Sequence, residues 1–212
     1  MTVRYIICIL IQAEFFITFL GEQMHRIYLV MTATGTLFSR FLNLFTRAGY
    51  NHVSLCLDDN IEVFYSFGRK VIWFPLIGGF VTEKANAGIY KTFSDTECVI
   101  YELEINDIKY KRLRAEVDKF IRDRHLYHYN LLGLLGVMLN RPLKRKNRLF
   151  CTQFVATVLK ESGVHDFQKD TSLATPHDFH GIPGLTPIYE GKLSELSAVR
   201  SKLSAYEKIA VN

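Results

Sequence analysis

Apolar and polar positions change period several times along the chain, and each change marks an element. Residues 26–31 (RIYLVM) form a β-branched, apolar run that predicts a buried strand. Thr34-Gly35-Thr36 offers a turn and a helix N-cap. Leu37, Phe38, Phe41, Leu42 and Phe45 then recur at helical spacing, with Ser39, Arg40, Asn43 and Arg47 on the other side, predicting a helix that ends near Gly49. Residues 52–57 (HVSLCL) and 62–67 (EVFYSF) flank the turn-forming cluster Asp58-Asp59-Asn60 and predict an antiparallel hairpin. Strand periodicity puts His52, Ser54 and Cys56 on one face. After Gly68 the chain is rich in glycine and aromatics as far as Thr92, which predicts a long structured loop or short strands, with Gly78-Gly79 permitting a tight bend.

Residues 98–105 (CVIYELEI) alternate as a strand. Asn106 or Asp107 then caps a helix with Tyr110, Leu113, Val117, Phe120 and Ile121 as its apolar stripe. Residues 131–139 form a second helical stretch. Residues 141–148 read as a loop with five basic side chains, Arg141, Lys144, Arg145, Lys146 and Arg148. Cys151 opens a helix lined by Phe154, Val155, Val158 and Leu159, with Lys160 in the last turn and Gly163 as the stop. From Lys192 to Ile209, Leu193, Leu196, Val199, Leu203 and Tyr206 are spaced as in a helix. There is no internal repeat and no linker.

Composition agrees with a globular domain. The 212 residues are 49% hydrophobic and 22% charged, enough to build a core, which argues against disorder. A net charge of +5 permits an anionic partner without requiring one, and no nucleic-acid-binding motif accompanies it. Cys8, Cys56, Cys98 and Cys151 show no C-x-x-C and no paired spacing, which points to a reducing compartment rather than a disulfide framework or thiolate zinc site. No cofactor or metal is expected. His125 and His128, and again His177 and His180, are three apart but lack a third ligand at the usual spacing, and are read as surface histidines.

Residues 1–23 stand apart. Residues 5–20 are almost wholly apolar but are interrupted by Gln12 and Glu14, too short for a span and without a signal-peptide cleavage site. The codons for Gly21-Glu22 can read as a ribosome-binding sequence ahead of the Met24 codon. The expectation is therefore a native start at Met24 and a bacterial cytoplasmic protein, membrane-associated only if the extension is translated. The domain organisation that follows is an extension at 1–23, a catalytic domain at 24–190 and a helical tail at 191–212.

A thiol in the first turn of a helix meets unsatisfied backbone N–H groups, which stabilise the thiolate. Cys151 has that placement, directly after a basic loop and directly before the buried face of its helix. A thiolate nucleophile also requires an imidazole, and the imidazole a third polar group that orients it. His52, at the start of an otherwise apolar strand, is the candidate base.

The order x-H-V-S-L in a strand, a hairpin partner ending Y-S-F-G-R-K, then Y-N-L-L-G about twenty residues ahead of F-C-T-Q-F-V-A, resembles the circularly permuted branch of the papain-like NlpC-type peptidase superfamily. That branch includes the YiiX-like proteins and the lecithin retinol acyltransferase group. The resemblance runs from about Ile27 to Phe179, with His52, Tyr129 and Cys151 in that order. It implies an α+β fold, an antiparallel sheet packed against the helix that carries Cys151. It also implies Cys151 as nucleophile, His52 as general base, and Tyr129 with the Cys151 N–H as oxyanion donors.

The family's third member is usually His, Glu, Gln or Asn on the strand after the histidine. Here the matching position gives Ser66, with Tyr65 beside it, and the hairpin register decides which faces His52. A three- or five-residue turn selects Ser66, the preferred reading; a two- or four-residue turn selects Tyr65. The implied activity is cysteine-dependent hydrolysis of an amide or peptide bond, with a peptidoglycan fragment or isopeptide as substrate. The alternatives are an acyl-lipid thioester chemistry, for which Trp73, Phe74, Phe80 and the basic loop are suited, or an inactive binding module. The loop also offers a membrane-surface contact.

Overall fold

The computed structural model describes residues 23–33, 49–71 and 77–197. The helix predicted before Gly49, the apolar extension, Trp73 and Phe74, and the end of the C-terminal helix fall outside the described residues. Eight strands are present: β1 (Met24–Ala33), β2 (His52–Cys56), β3 (Val63–Arg69), β4 (Gly78–Lys84), β5 (Glu97–Asn106), β6 (His128–Tyr129), β7 (Arg148–Leu149) and β8 (Thr186–Lys192). The α-helices are α1 (Gly88–Thr92), α2 (Asp107–Arg122), α3 (Leu131–Met138) and α4 (Cys151–Glu161).

Six strands form one antiparallel sheet in the order β4-β3-β2-β1-β5-β8, and β6 and β7 pair in parallel beside it. The architecture is α+β. The unbroken apolar run of β1 follows from its central place: Ile27, Leu29 and Met31 enter the core on one face, Tyr28 and Val30 that on the other. The first core is closed by α2 and α4. Phe120 of α2 and Phe154 of α4 meet at 5.0 Å between ring centroids, and both pack on Phe80 and Phe67 of the sheet. Phe154 is fully buried, and truncating such a side chain costs about 3–5 kcal/mol. This aromatic cluster fixes α4, and hence Cys151, against the sheet.

Local chemistry sets the helix ends. The Asn106 side chain accepts from the Lys109 N–H and starts α2, as expected. Gly163 takes φ +73°, the left-handed region, just after α4 stops.

Three expectations are corrected. Of the two forms expected for the glycine-rich stretch, its described part takes the short strand, and Gly78 and Gly79 open β4 rather than making a tight bend. Glycine is needed at Gly78 because an added Cβ would lie 2.6 Å from the Gly68 carbonyl oxygen and 2.9 Å from Tyr129 Cβ. The C-terminal helix does not begin at Lys192, which ends β8 as an edge strand of the sheet. Leu193 and Leu196 then fill the second core, so the start of the expected tail belongs to the domain. Finally, Phe80 is a core residue, 4% exposed, rather than part of a lipid-binding surface.

Candidate active site

Cys151 occupies the first turn of α4. Its N-cap, Phe150, has no side chain to bond the first N–H groups, which leaves them directed at the thiol. The thiol stands beside the His52 ring and the backbone N–H groups of Val53, on β2, and Thr152, which act on its charge. His52 starts β2 opposite Thr32 of β1. The sheet and the helix thus bring together the two residues that sequence order alone had linked.

The second ring nitrogen of His52 identifies the third polar group. Nε2 lies 3.1 Å from Glu83 Oε2 and 3.2 Å from Ser54 Oγ, which leaves Nδ1 for the thiol. Ser66 does not fill this role. Pairing of Leu55 with Tyr65 puts Ser66 on the same face as His52, the preferred register, and Tyr65 on the opposite face. Ser66 Oγ instead donates to the Val53 carbonyl at 2.7 Å and is fully buried. Its hydroxyl is used to hold β2 against β3, and Glu83, one strand further out on β4, reaches the imidazole.

Glu83 stands in a network of its own. Its Oε2 accepts from Ser54 Oγ at 2.8 Å and from the Tyr90 hydroxyl at 3.3 Å, and Tyr90 lies 3.5 Å from Thr32 Oγ1. Sequence reasoning missed Glu83 because it lies 31 positions from His52 in a segment dominated by glycine and aromatics. The available signal is the alternation Phe80, Thr82 against Val81, Glu83, which marks a strand with an acidic residue on one face. Gly68 borders the site: an added Cβ would meet Val81 Cγ2 at 3.3 Å and stand at ordinary contact distance from Glu83 Oε1 and His52 Cε1.

The electrostatics follow from this geometry. Burial works against a charged His52, but the Glu83 carboxylate, the hydrogen bonds to Cys151 and Glu83, and the thiolate charge outweigh it and push the ring up to about 10. Burial pushes the Cys151 thiol up, and the His52 bond and charge with the two backbone N–H groups bring it below the ordinary thiol value. Glu83 is likewise held below the usual carboxylate range, burial being overcome by His52, Ser54 and Tyr90. These are the conditions for a thiolate–imidazolium pair.

Tyr129 reaches the site through β6. Tyr129 pairs with Leu149, two residues before Cys151, and the Asn130 N–H donates to the Leu149 carbonyl at 2.8 Å. Its phenol is pushed well up by burial and then by the Cys151 charge, with Arg69 pulling the other way, so it stays protonated and able to donate. Arg69, at the end of β3, adds positive charge that the sequence reading did not assign.

Among the described residues, no group of three or more His, Cys, Asp and Glu is placed to hold a metal ion. His125, His128, His177 and His180 are all solvent-exposed. No helix of the described residues is long and apolar enough to cross a membrane.

No family model and no curated protein matches the chain. Among solved structures, the chain is similar to the crystal structure of metalloprotein yiiX from Escherichia coli O157:H7. The two share 12% identity and a TM-score of 0.44, over 81% of this chain and 98% of that one.

Proposed function

We propose that the chain is a cysteine hydrolase of the permuted papain-like type, acting on an amide or peptide bond through Cys151, His52 and Glu83. The observation that carries this reading is the contact between the Cys151 thiol and the His52 ring, whose far nitrogen is held 3.1 Å from Glu83. The order of these groups along the chain, with the histidine strand before the cysteine helix, supports the permuted assignment.

In the reaction, the Cys151 thiolate attacks the carbonyl carbon and its electron pair forms the S–C bond while the carbonyl oxygen takes the charge. The Cys151 N–H and the Tyr129 hydroxyl donate to that oxygen. Protonated His52 delivers its proton to the leaving nitrogen as the C–N bond breaks, leaving a thioester. Water then attacks the thioester, His52 takes its proton, and the acid is released with the thiolate regenerated. Glu83 keeps the ring oriented and stabilises its positive charge without taking the proton.

The same dyad serves an acyl-lipid carbonyl equally well. That reading has lost Phe80 to the core, and the amide substrate is placed first.

The test is alkylation. Iodoacetamide modification, read by peptide mass against pH, should label Cys151 near neutral pH well before Cys56 and Cys98. If Cys151 reacts no faster than these two, and His52→Ala changes nothing, the chain is a binding module and the catalytic assignment is lost.

A further inference from the structure

Helix α3 is apolar on every side: from Leu131 to Leu139 the sequence LLGLLGVML holds no polar residue. A helix of that kind is normally buried all round. Here only part of it is. Gly133 and Gly136 face the protein, tight against Phe150, Asn130 and Leu143. Leu132, Leu135, Met138 and Leu139 lie on the flank turned to solvent and are 49%, 46%, 42% and 68% exposed. At 100° per residue these four fall within an arc of roughly 120°, one continuous stripe.

The stripe runs directly into the exposed basic loop. Residues 138–147 are all solvent-exposed and include Leu143, Arg141, Lys144, Arg145 and Lys146. Lys144 pairs with Asp170 at 2.7 Å, while Arg141, Arg145 and Lys146 form no salt bridge among the described residues and set positive charge beside the leucines. Asn130 ties the two parts together: its side chain accepts from the Gly133 N–H and donates to the Leu143 carbonyl.

We propose that the α3 stripe and the 141–148 loop together form a docking surface for an anionic phospholipid bilayer. The leucines enter the interfacial region and the basic side chains meet lipid phosphates. Charge complementarity selects this occupant. A second copy seated face to face would set one basic loop against another, and a nucleic acid makes no use of an apolar stripe. The helix is far too short to span, so it lies in the interface. The surface adjoins the candidate site, since α3 starts two residues after Tyr129 and the loop ends three residues before Cys151, yet docking does not depend on catalysis.

Flotation of the full chain with phosphatidylcholine vesicles, with and without 30% phosphatidylglycerol, tests the proposal. Binding should require the anionic lipid and weaken with added salt. Replacing Arg141, Arg145 and Lys146 by Ser should weaken it about fivefold each, roughly 100-fold together. Leu135→Ser with Leu139→Ser should lower it by at least about tenfold. Both sets of positions are exposed, and unchanged circular dichroism confirms folding. Amide hydrogen exchange of the unmodified protein gives a second measurement, with protection expected at residues 131–148 on vesicle addition. Cys151→Ser should bind as the unmodified protein does, which separates this proposal from the hydrolase reading.

Three outcomes overturn the docking surface: no vesicle binding, binding to anionic vesicles that is insensitive to the leucine variants, or a concentration-dependent dimer that those variants dissolve.

Discussion

The two ends of β2 each hold a buried thiol beside a polar partner, and the two thiols are driven in opposite directions. At the far end, Cys56 is fully buried and lies 3.2 Å from Asp58 Oδ2. Burial first, opposed by backbone N–H bonds and reinforced by the Asp58 charge, pushes it far above the ordinary thiol value. At the near end, Cys151 is 5% exposed and is lowered instead. Cys98 is pushed up to about 12 by burial. Burial is common to all three and so cannot be what makes a reactive cysteine. The sign is set by what faces the sulfur: a carboxylate and apolar packing at one end, an imidazolium and a helix N-terminus at the other.

The largest effect that tests this contrast is removal of the proposed nucleophile. Cys151→Ala should reduce hydrolysis of a cleavable amide substrate by roughly 10³-fold or more and abolish the acyl-enzyme adduct in the intact mass. Retention of activity would move the nucleophile elsewhere. His52→Ala comes next. Without the imidazolium, burial is opposed only by the backbone N–H groups, so the thiol rises at least to the ordinary range near 8.5, at most about 3% thiolate at pH 7, and alkylation at pH 7 should slow by at least roughly 30-fold. That change would erase most of the difference between the two ends of β2.

Glu83→Gln keeps the hydrogen-bond shape and deletes the charge that raises His52. The reactive pair exists above the lowered pKa of Cys151 and below the raised pKa of His52, about 10. The variant should therefore pull the alkaline limb of the kcat/KM profile downward, measured as rate against pH. The linkage has the same sign. A raised His52 contributes stability fully present below its unfolded value near 6.5 and lost as pH rises through about 10. Tm of the unmodified protein should fall across that window more than Tm of Glu83→Gln does.

Tyr90→Phe removes one of the three donors on Glu83 Oε2 and should cost about 1 kcal/mol by urea unfolding, with a smaller change in the pH profile. The smallest effect belongs to Cys56→Ser, which should leave alkylation of Cys151 and its pH dependence unchanged. A change there would mean that the two ends of β2 are coupled and the comparison is wrong.

Much of the scaffold could be read from periodicity. The β1 run, the hairpin, the α2 stripe with its Asn106 cap and the Cys151 helix are written in adjacent residues, because capping, turn formation and amphipathic spacing are short-range effects. The hairpin register was open, and folding resolved it toward Ser66 on the His52 face. The role expected of Ser66 was nevertheless taken by Glu83. Register fixes a face, whereas the partner of an imidazole is fixed by which side chain is long enough to reach it across two strands.

The sequence by itself determined a thiol at a helix start, a histidine at a strand start, and a tyrosine between them, since helix position and strand alternation are local properties. Only the tertiary structure decided that Cys151 and His52 touch, that Glu83 holds the far ring nitrogen, and that Cys56 and Cys151 acquire opposite tendencies. Those outcomes depend on charge, burial and distance between segments far apart in the chain, and the strength of each interaction is set by the surroundings that folding creates.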